Sequence, residues 1–431
     1  MYPKHSTQYE WVIKVTPVEM IIAGAGDRGF VYASYAKAHP NRAKIVGVAE
    51  PRDFYREKMV EEHNIPEENV FADWKDMAKK KKFADAVIIT TRDHMHRDPA
   101  IEFAKKDYHI LLEKPMAPDE KSCKDITKEV LSKDIIFAVG HVLRYTRYTQ
   151  KLKSILDSGL IGDIISLQHL EPVGYWHQAH SFVRGNWRNE KESSFMLLTK
   201  SCHDLDWIRY IIGKKCTSVS SFGSLTHFRS ENKPENAGSN CLECNYEPEC
   251  PYSAKRFYLK LLERKKTGWP LSVITTEMTK GGIIRELRNG PYGRCVYECD
   301  NDVVDHQVVN MEFEGGETAS FTMTGFTKAR QRETRIFGTY GEIYANSEKI
   351  QLHQFLNDKT EIIDTTIDAP RIPNALAEHG GGDYALIDTF VSAVSQNDSS
   401  LILSGPEETL ETHLMTFAAE RSRREGKVIR L

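Results

Sequence analysis

Three stretches of this sequence hold residues whose types and spacing could do chemistry. The first is MIIAGAGDRG (Met20–Gly29), which sets Gly24, Gly26 and Gly29 in the order G-x-G-x-x-G behind an apolar run. Where such glycines follow a strand and open a helix, the first permits a tight turn. The second lets backbone approach a pyrophosphate, and the third lets helix and strand lie close. The helix N-terminus adds unpaired N–H groups and the positive end of a dipole. Glu50 ends the next apolar run, AKIVGVAE. A carboxylate about twenty residues past the glycines accepts hydrogen bonds from ribose hydroxyls and repels a 2′-phosphate, which favours NAD over NADP. Arg52, two residues on, softens that preference.

The second stretch is Glu113-Lys114-Pro115, directly after the apolar run Tyr108–Leu112. Ligands of open α/β sheets bind at the carboxyl ends of strands, which lifts Lys114 above an ordinary exposed lysine. The third is SCHDLDWIRYIIG, with His203 and, three residues before it, Lys200. In a helix these two share a face. Oxidising a secondary alcohol needs a hydride acceptor, which a nicotinamide cofactor supplies, and a base for the hydroxyl proton, which the protein supplies. A cationic ring and a dry pocket favour the neutral amine of a neighbouring lysine, and histidine exchanges protons near neutrality. Lys114 therefore reads as the hydroxyl contact and acid/base, with His203 as proton relay or co-base. The plain alternative for His203 is a helix histidine satisfied within the core.

Further residues are weaker candidates. EPVGYWHQAHSFVRGNWRNEKESS combines aromatic faces with planar hydrogen-bonding groups, the chemistry that binds sugars, and nominates Tyr175, Trp176, His177, Arg184 and Trp187 for substrate. A packed surface loop explains it equally well. EHGGGDYALIDTF offers His379, with Asp383 reading as the cap of the following helix. CLECNYEPEC gives Cys241, Cys244 and Cys250, a zinc half-site plus a third thiol, for which Cys295 or Cys299 is the candidate fourth ligand. No second C-x-x-C accompanies it, and buried apolar thiols are the alternative.

These residues must be positioned by their elements. Near-continuous apolar runs at Met20–Ala23, Lys44–Ala49, Ala86–Thr90, Tyr108–Leu112 and Ile135–Val139 alternate with amphipathic helical stretches. That pattern predicts a doubly wound parallel α/β sheet, a Rossmann domain over residues 17–141. A leader of residues 1–16 precedes it, with a strand expected near Trp11–Val15. Residues 142–431 read as an α+β domain. Its large, mostly antiparallel open sheet is built from runs after Val308, and helices near Asp383–Ser395 and Pro406–Glu425 follow. Residues from about 229 to 301 read as an irregular, cysteine-containing insertion.

The chain has 431 residues, 40% hydrophobic and 28% charged, with a formal net charge of −3. This balance gives no reason to expect nucleic acid or an anionic membrane as partner. No run approaches the ~18 uncharged apolar residues of a membrane span, and no signal-peptide pattern opens the chain, so the cytoplasm is the expected compartment.

The stretch ITTRDHMHRDPAIEFAKKDYHILLEKPMA (Ile89–Ala117) resembles the Gfo/Idh/MocA family of sugar and polyol oxidoreductases. The family ends one strand in T-P-N-x-x-H and the next in E-K-P. Here these read Thr91-Arg92-Asp93-His94-Met95-His96 and Glu113-Lys114-Pro115. GDIISLQHLE, SCHDLDWIRYIIG and IFGTYGEIYAN extend the likeness over nearly the whole chain from Pro17. The resemblance implies a nicotinamide dinucleotide lined by Gly24, Gly26, Asp27, Arg28, Gly29, Glu50, Arg52, Thr91, His94, His96, Glu113, Lys114 and, near the domain junction, Arg144. It also implies a carbohydrate or polyol substrate, and the uncovered face of the antiparallel sheet predicts a homo-oligomer. Two departures stand out. Arg92-Asp93 replaces the common Pro-Asn, and Thr199 replaces the aspartate four residues before His203. The usual carboxylate partner of His203 is thereby missing, and Lys200 is placed to act as substrate clamp or proton carrier. The rival readings are an NAD-dependent glycosidase working by transient oxidation and elimination, and a non-enzymatic sugar-sensing regulator.

Overall fold

The computed structural model describes residues 16–367, 372 and 376–431; the strand expected near Trp11–Val15 lies outside the described residues. Strands and helices alternate first: β1 (Val18–Ala23), α1 (Asp27–Ala38), β2 (Ala43–Ala49), α2 (Asp53–His63), β3 (Val70–Phe71), α3 (Trp74–Lys79), β4 (Ala86–Ile89), α4 (Arg97–Lys105), β5 (His109–Leu112), α5 (Glu120–Leu131) and β6 (Phe137–Val139). The strands form one parallel sheet in the order β3-β2-β1-β4-β5-β6. β1, β4 and β6 are buried or nearly so along their length because helices cover both faces. The order reverses between β1 and β4, and the crevice at that switch point is where such sheets bind ligands.

The chain continues through α6 (Arg147–Asp157), β7 (Ile164–Pro172), α7 (Tyr175–His177), α8 (Met196–Ile212) and β8 (Cys216–Ser224). Then come α9 (Ala254–Glu263), α10 (Lys280–Asn289), β9 (His306–Phe313), β10 (Thr318–Thr324), β11 (Glu333–Gly338), β12 (Gly341–Ala345), β13 (Lys349–Gln354) and β14 (Lys359–Asp364). The final elements are α11 (Glu378–Gln396), α12 (Pro406–Glu425) and β15 (Ile429–Arg430). A nine-stranded sheet runs β14-β13-β12-β11-β7-β10-β9-β8-β15, antiparallel throughout except at β7–β10. One face packs on α8 and α12. The other carries exposed Phe222, Tyr344 and Ile362.

The stretch expected to be irregular holds two helices, α9 and α10, with a small core of Ala254, Tyr258, Leu271, Ile283 and Leu287. Their amphipathic faces supply that core. α11 also departs from the linear division of the sequence: Leu386, Ile387 and Phe390 pack into the same apolar cluster as β1 and α1.

Candidate active site

The glycine loop joins β1 to α1. Gly24 has φ +98°, and a Cβ there would lie 2.7 Å from the Thr90 carbonyl oxygen. Gly29 lets α1 lie against the loop, since a Cβ would come within 2.3 Å of the Gly24 carbonyl oxygen. Gly26 differs. A Cβ there would meet only Arg52 Nη2, at 3.5 Å, and no side chain caps α1 at Gly26. An open cradle under uncapped helix N–H groups fits a dinucleotide pyrophosphate. Among the described residues, Thr91 Oγ1 and Arg28 Nη1 are buried without a partner.

Glu50 is buried at the end of β2, as its place in the sequence requires. Its Oε2 accepts from Ala25 N at 2.8 Å, and its Oε1 accepts from Arg52 Nε at 2.7 Å. Burial works to raise this carboxyl, but the hydrogen bonds from Arg52 and Ala25 outweigh it and hold it below the usual range. Arg52 lies over the Tyr55 ring at 4.1 Å. Asp27 is exposed in the first turn of α1, and His94 is exposed beyond β4.

Two residues expected on the cofactor are engaged elsewhere. The His96 ring is buried between the carbonyls of Pro115 (2.8 Å) and Thr91 (3.1 Å), so it ties two loops together. Arg144 is fully buried. Its Nε and Nη2 donate to Asp206 at 2.7 and 2.8 Å, its Nη1 bonds Glu408 and the Leu403 carbonyl, and Tyr210 stacks beneath it. It locks α8 to the start of α12. The pairing that a junction arginine needs is the pairing that withdraws it from a ligand.

The loop after β5 carries Glu113 and Lys114, followed by a cis Lys114–Pro115 bond. Glu113 accepts from Arg28 and from its neighbour's N–H. Lys114 Nζ crosses to α8 and donates to the Thr199 carbonyl at 2.9 Å. Helix α8 then presents Lys200, His203, Asp204 and Trp207 along one face, as the spacing predicts.

Lys200 pairs with Glu171 at 3.0 Å, and Glu171 also meets Arg332 at 2.8 Å. The register that sets Glu333 opposite Leu170 brings Arg332 beside Glu171. Arg332 also bonds Asp204 and donates to His203 Nε2 at 2.8 Å. Lys200 therefore does not stand in for a missing carboxylate; it is one cation of a buried network that contains two carboxylates. Burial pulls Lys200 below the ordinary lysine value, with Arg332 adding to the effect, although Glu171 opposes it. Burial works to raise Asp204, but Arg332 and His169 hold it well below the usual range.

His203 is held in a defined state. A guanidinium can only donate, so Nε2 must accept. Burial and the neighbouring Lys114 and Arg332 push the ring well below its ordinary value, so it is neutral with its proton on Nδ1. That N–H is buried and has no partner among the described residues. In this arrangement His203 has a free hydrogen-bond donor at Nδ1 rather than a free base there.

The substrate candidates divide. Burial, then Lys200, His180, Lys114 and Arg332, push His177 well below its usual value. Trp176 stacks on Phe257 (ring centroids 5.0 Å apart) and His177 meets Trp269 edge-on (5.0 Å), so the insertion walls this side. Tyr175 is exposed. Trp187 packs beside Phe182, against the core. Arg184 is buried and donates to the carbonyls of Arg294 (2.7 Å) and Tyr252 (2.9 Å), which anchors the insertion and removes it from the substrate list.

Cys241, Cys244, Cys250 and Cys295 line one cavity of about 20 Å³, whereas Cys299 is not among its lining residues. The candidate structural zinc is not supported. Every cysteine is a free thiol, and among the described residues no group of three or more His, Cys, Asp or Glu is arranged to hold a metal. Cys241 Sγ instead accepts from the Arg184 guanidinium at 3.5 Å.

Reasoning from sequence missed Glu171 and Arg332, which are joined only by strand register. Asp383 was misassigned. It stands where α11 becomes regular, after the left-handed His379–Gly381, but its fully buried carboxylate bonds Arg28 and His379 rather than capping the helix. Among the described residues no helix is long and apolar enough to cross a membrane.

A family profile described as an oxidoreductase family with an NAD-binding Rossmann fold matches residues 18–141, and its C-terminal alpha/beta domain matches residues 153–431. Over 209 residues the chain is 28% identical to 2,7-anhydro-N-acetylneuraminate hydratase of Escherichia coli, covering 48% of this chain and 53% of that protein. It is 27% identical over 214 residues to the NAD(+) scyllo-inositol 2-dehydrogenase of Bacillus subtilis, covering 48% and 58%. The match thus spans about half the length of these relatives. A levoglucosan dehydrogenase solved with NADH and levoglucosan shares the fold at a TM-score of 0.70, with 18% identity over 96% of this chain and 99% of that one. With both profile domains matched in order, over residues 18–141 and 153–431, the chain belongs to the Gfo/Idh/MocA oxidoreductase family.

Proposed function

We propose that this protein is an NAD-dependent oxidoreductase that moves hydride between a nicotinamide and a secondary hydroxyl of a sugar, glycoside or cyclic polyol. Lys114 carries the reading. Its amine leaves the strand end beside the glycine loop and reaches Thr199 on α8, at the edge of a buried set of donors and acceptors. Donors interleaved with carboxylates suit a polyhydroxyl ligand, since every hydroxyl both donates and accepts. Bound NAD would lie over Gly24–Gly29, with its ribose toward Glu50, and would supply the hydride chemistry. Lys114 would hold the reacting hydroxyl. Glu50 favours NAD over NADP, and the nearby Arg52 narrows the difference. We extend the reading to a homo-oligomer formed through the open sheet face bearing Phe222, Tyr344 and Ile362, which register places on one side.

The test is a panel of inositols, levoglucosan, hexoses and glycosides with NAD and then NADP, followed by reduced-nicotinamide absorbance. Net NADH on any member supports the reading. Tight NADH binding with no turnover overturns it. The likeness to the hydratase favours one second reading, an elimination assisted by bound NAD. Leaving-group release from a glycoside without net NADH is its signature.

A further inference from the structure

His379 enters the cleft from the far end of the chain. His379, Gly380 and Gly381 have φ of +50°, +66° and +81°, so the chain coils left-handed before α11 becomes regular. This conformation is uncommon for a residue with a side chain and persists where surroundings enforce it. It returns the imidazole onto its own helix, where Nδ1 lies 2.8 Å from Asp383 Oδ2. Asp383 is fully buried, and its other oxygen accepts from Arg28. Burial works to raise this carboxyl, but Arg28 and then His379 outweigh it and hold it down to about 2.

A carboxylate can only accept, so His379 donates Nδ1–H and its Nε2 lone pair is left available. The His203 ring sits opposite, with centroids 6.3 Å apart. A single oxygen about 2.8 Å from a nitrogen of each ring can bridge that span. The two histidines have opposite assignments: His203 offers a proton from Nδ1, and His379 offers a lone pair at Nε2.

We propose that His379, oriented by Asp383, is the proton acceptor of this site, and that neutral His203 is a donor to the same substrate oxygen. The proposal rests on the oxidoreductase reading above. On oxidation the C–H bond breaks, and its hydride passes to the oxidised nicotinamide dinucleotide. The O–H bond breaks as Nε2 of His379 takes the proton. A carbonyl forms and accepts from His203 Nδ1–H and Lys114. The His379 side chain is 34% exposed, so the imidazolium can return its proton to water, while Asp383 offsets the charge. The charged and titratable groups around it are Asp383 on its own helix, Arg28 and Asp27 on α1 with Glu113 behind them, and His203 on α8 with Arg332 and Asp204 behind it.

The experiment compares wild type, His379→Gln and His379→Ala on the panel member that wild type oxidises, and reads ring tautomers in [15N]histidine-labelled protein. The proposal expects kcat to fall about 100-fold in both variants, with melting temperature and NADH affinity held. The acid limb of the wild-type kcat/KM profile should vanish, and added imidazole should restore turnover to His379→Ala. His379 and His203 should both carry the proton on Nδ1. Unchanged kcat and acid limb in His379→Gln, or a proton on Nε2 of His379, overturns the proposal and leaves the oxidoreductase reading standing. A wild type inert on the whole panel removes that reading, and the proposal with it.

Discussion

Replacing Asp206 with Asn tests whether Arg144 holds the domains together or serves a ligand. Both side chains are fully buried, and the pair is bidentate at 2.7 and 2.8 Å. Asn keeps the size and one hydrogen bond but leaves the guanidinium charge short of its main partner. Removing one partner of a buried pair costs about 3–5 kcal/mol. Glu408 and the Leu403 carbonyl remain on Nη1, so the lower end, about 3 kcal/mol, is expected. At roughly 2–4 °C per kcal/mol, the melting temperature should fall by roughly 6–12 °C. The penalty should also depend on pH. Burial works to raise the Asp206 carboxyl, but Arg144 and His141 hold it below its ordinary value. A carboxylate depressed in the native state contributes stability above the ordinary carboxyl range and loses it as pH falls through the native value. The gap between wild type and variant should therefore close as pH drops below about 4. Thermal melts over a pH series, with NADH titrated by fluorescence well below the transition, read both effects. A variant that melts with wild type at neutral pH refutes the reasoning. So does a folded variant whose NADH affinity has dropped by more than about tenfold, because Arg144 would then act on the cofactor.

Four further outcomes are expected. Gly26→Ala should leave the melting temperature unchanged, since the new methyl meets only Arg52 at 3.5 Å, yet weaken NADH binding at least about tenfold by filling the cradle. Gly29→Ala should instead cost about 1–3 kcal/mol in urea unfolding, because its Cβ lands 2.3 Å from the Gly24 carbonyl oxygen. Lys114→Met should lower turnover by about 10²–10⁴-fold while NADH affinity, read by fluorescence, holds. Glu171→Gln should destabilise by about 2–3 kcal/mol at neutral pH, leaving Lys200 and Arg332 with Asp204 alone. Lys200 already lies below the ordinary lysine value in the native state. The unfolded chain then binds more protons, and the deficit should shrink as pH rises toward about 10, measured by urea unfolding at stepped pH.

What could be read from the sequence was what depends on neighbours in the chain. Apolar runs between helical stretches specify a covered parallel sheet, and Gly24, Gly26 and Gly29 specify the turn that opens α1. The shared face of Lys200 and His203 follows from helical spacing alone. What could not be read depends on pairing at long range. Arg332 meets Glu171 because β11 pairs with β7 in one register, and nothing local to KARQRE announces it. Arg144 and Arg184 looked like ligand-facing cations because a sequence displays charge and hides its partner. Asp383 looked like a cap because an aspartate after glycines and before an apolar helix usually is one. Its burial against Arg28, far away in the chain, gives it a different role.

The histidines make the same point at the level of single atoms. Composition cannot distinguish His96, His203 and His379, yet their surroundings fix three different chemistries. His96 has both ring nitrogens held by backbone carbonyls, so it braces the crevice. His203 faces a guanidinium, which obliges its Nε2 to accept and leaves a free donor at Nδ1. His379 faces a carboxylate, which obliges its Nδ1 to donate and leaves a lone pair. A site that must bind a hydroxyl and remove its proton needs one group of each of the last two kinds beside an ammonium. The partner that each ring faces, rather than the ring itself, decides which role it can take.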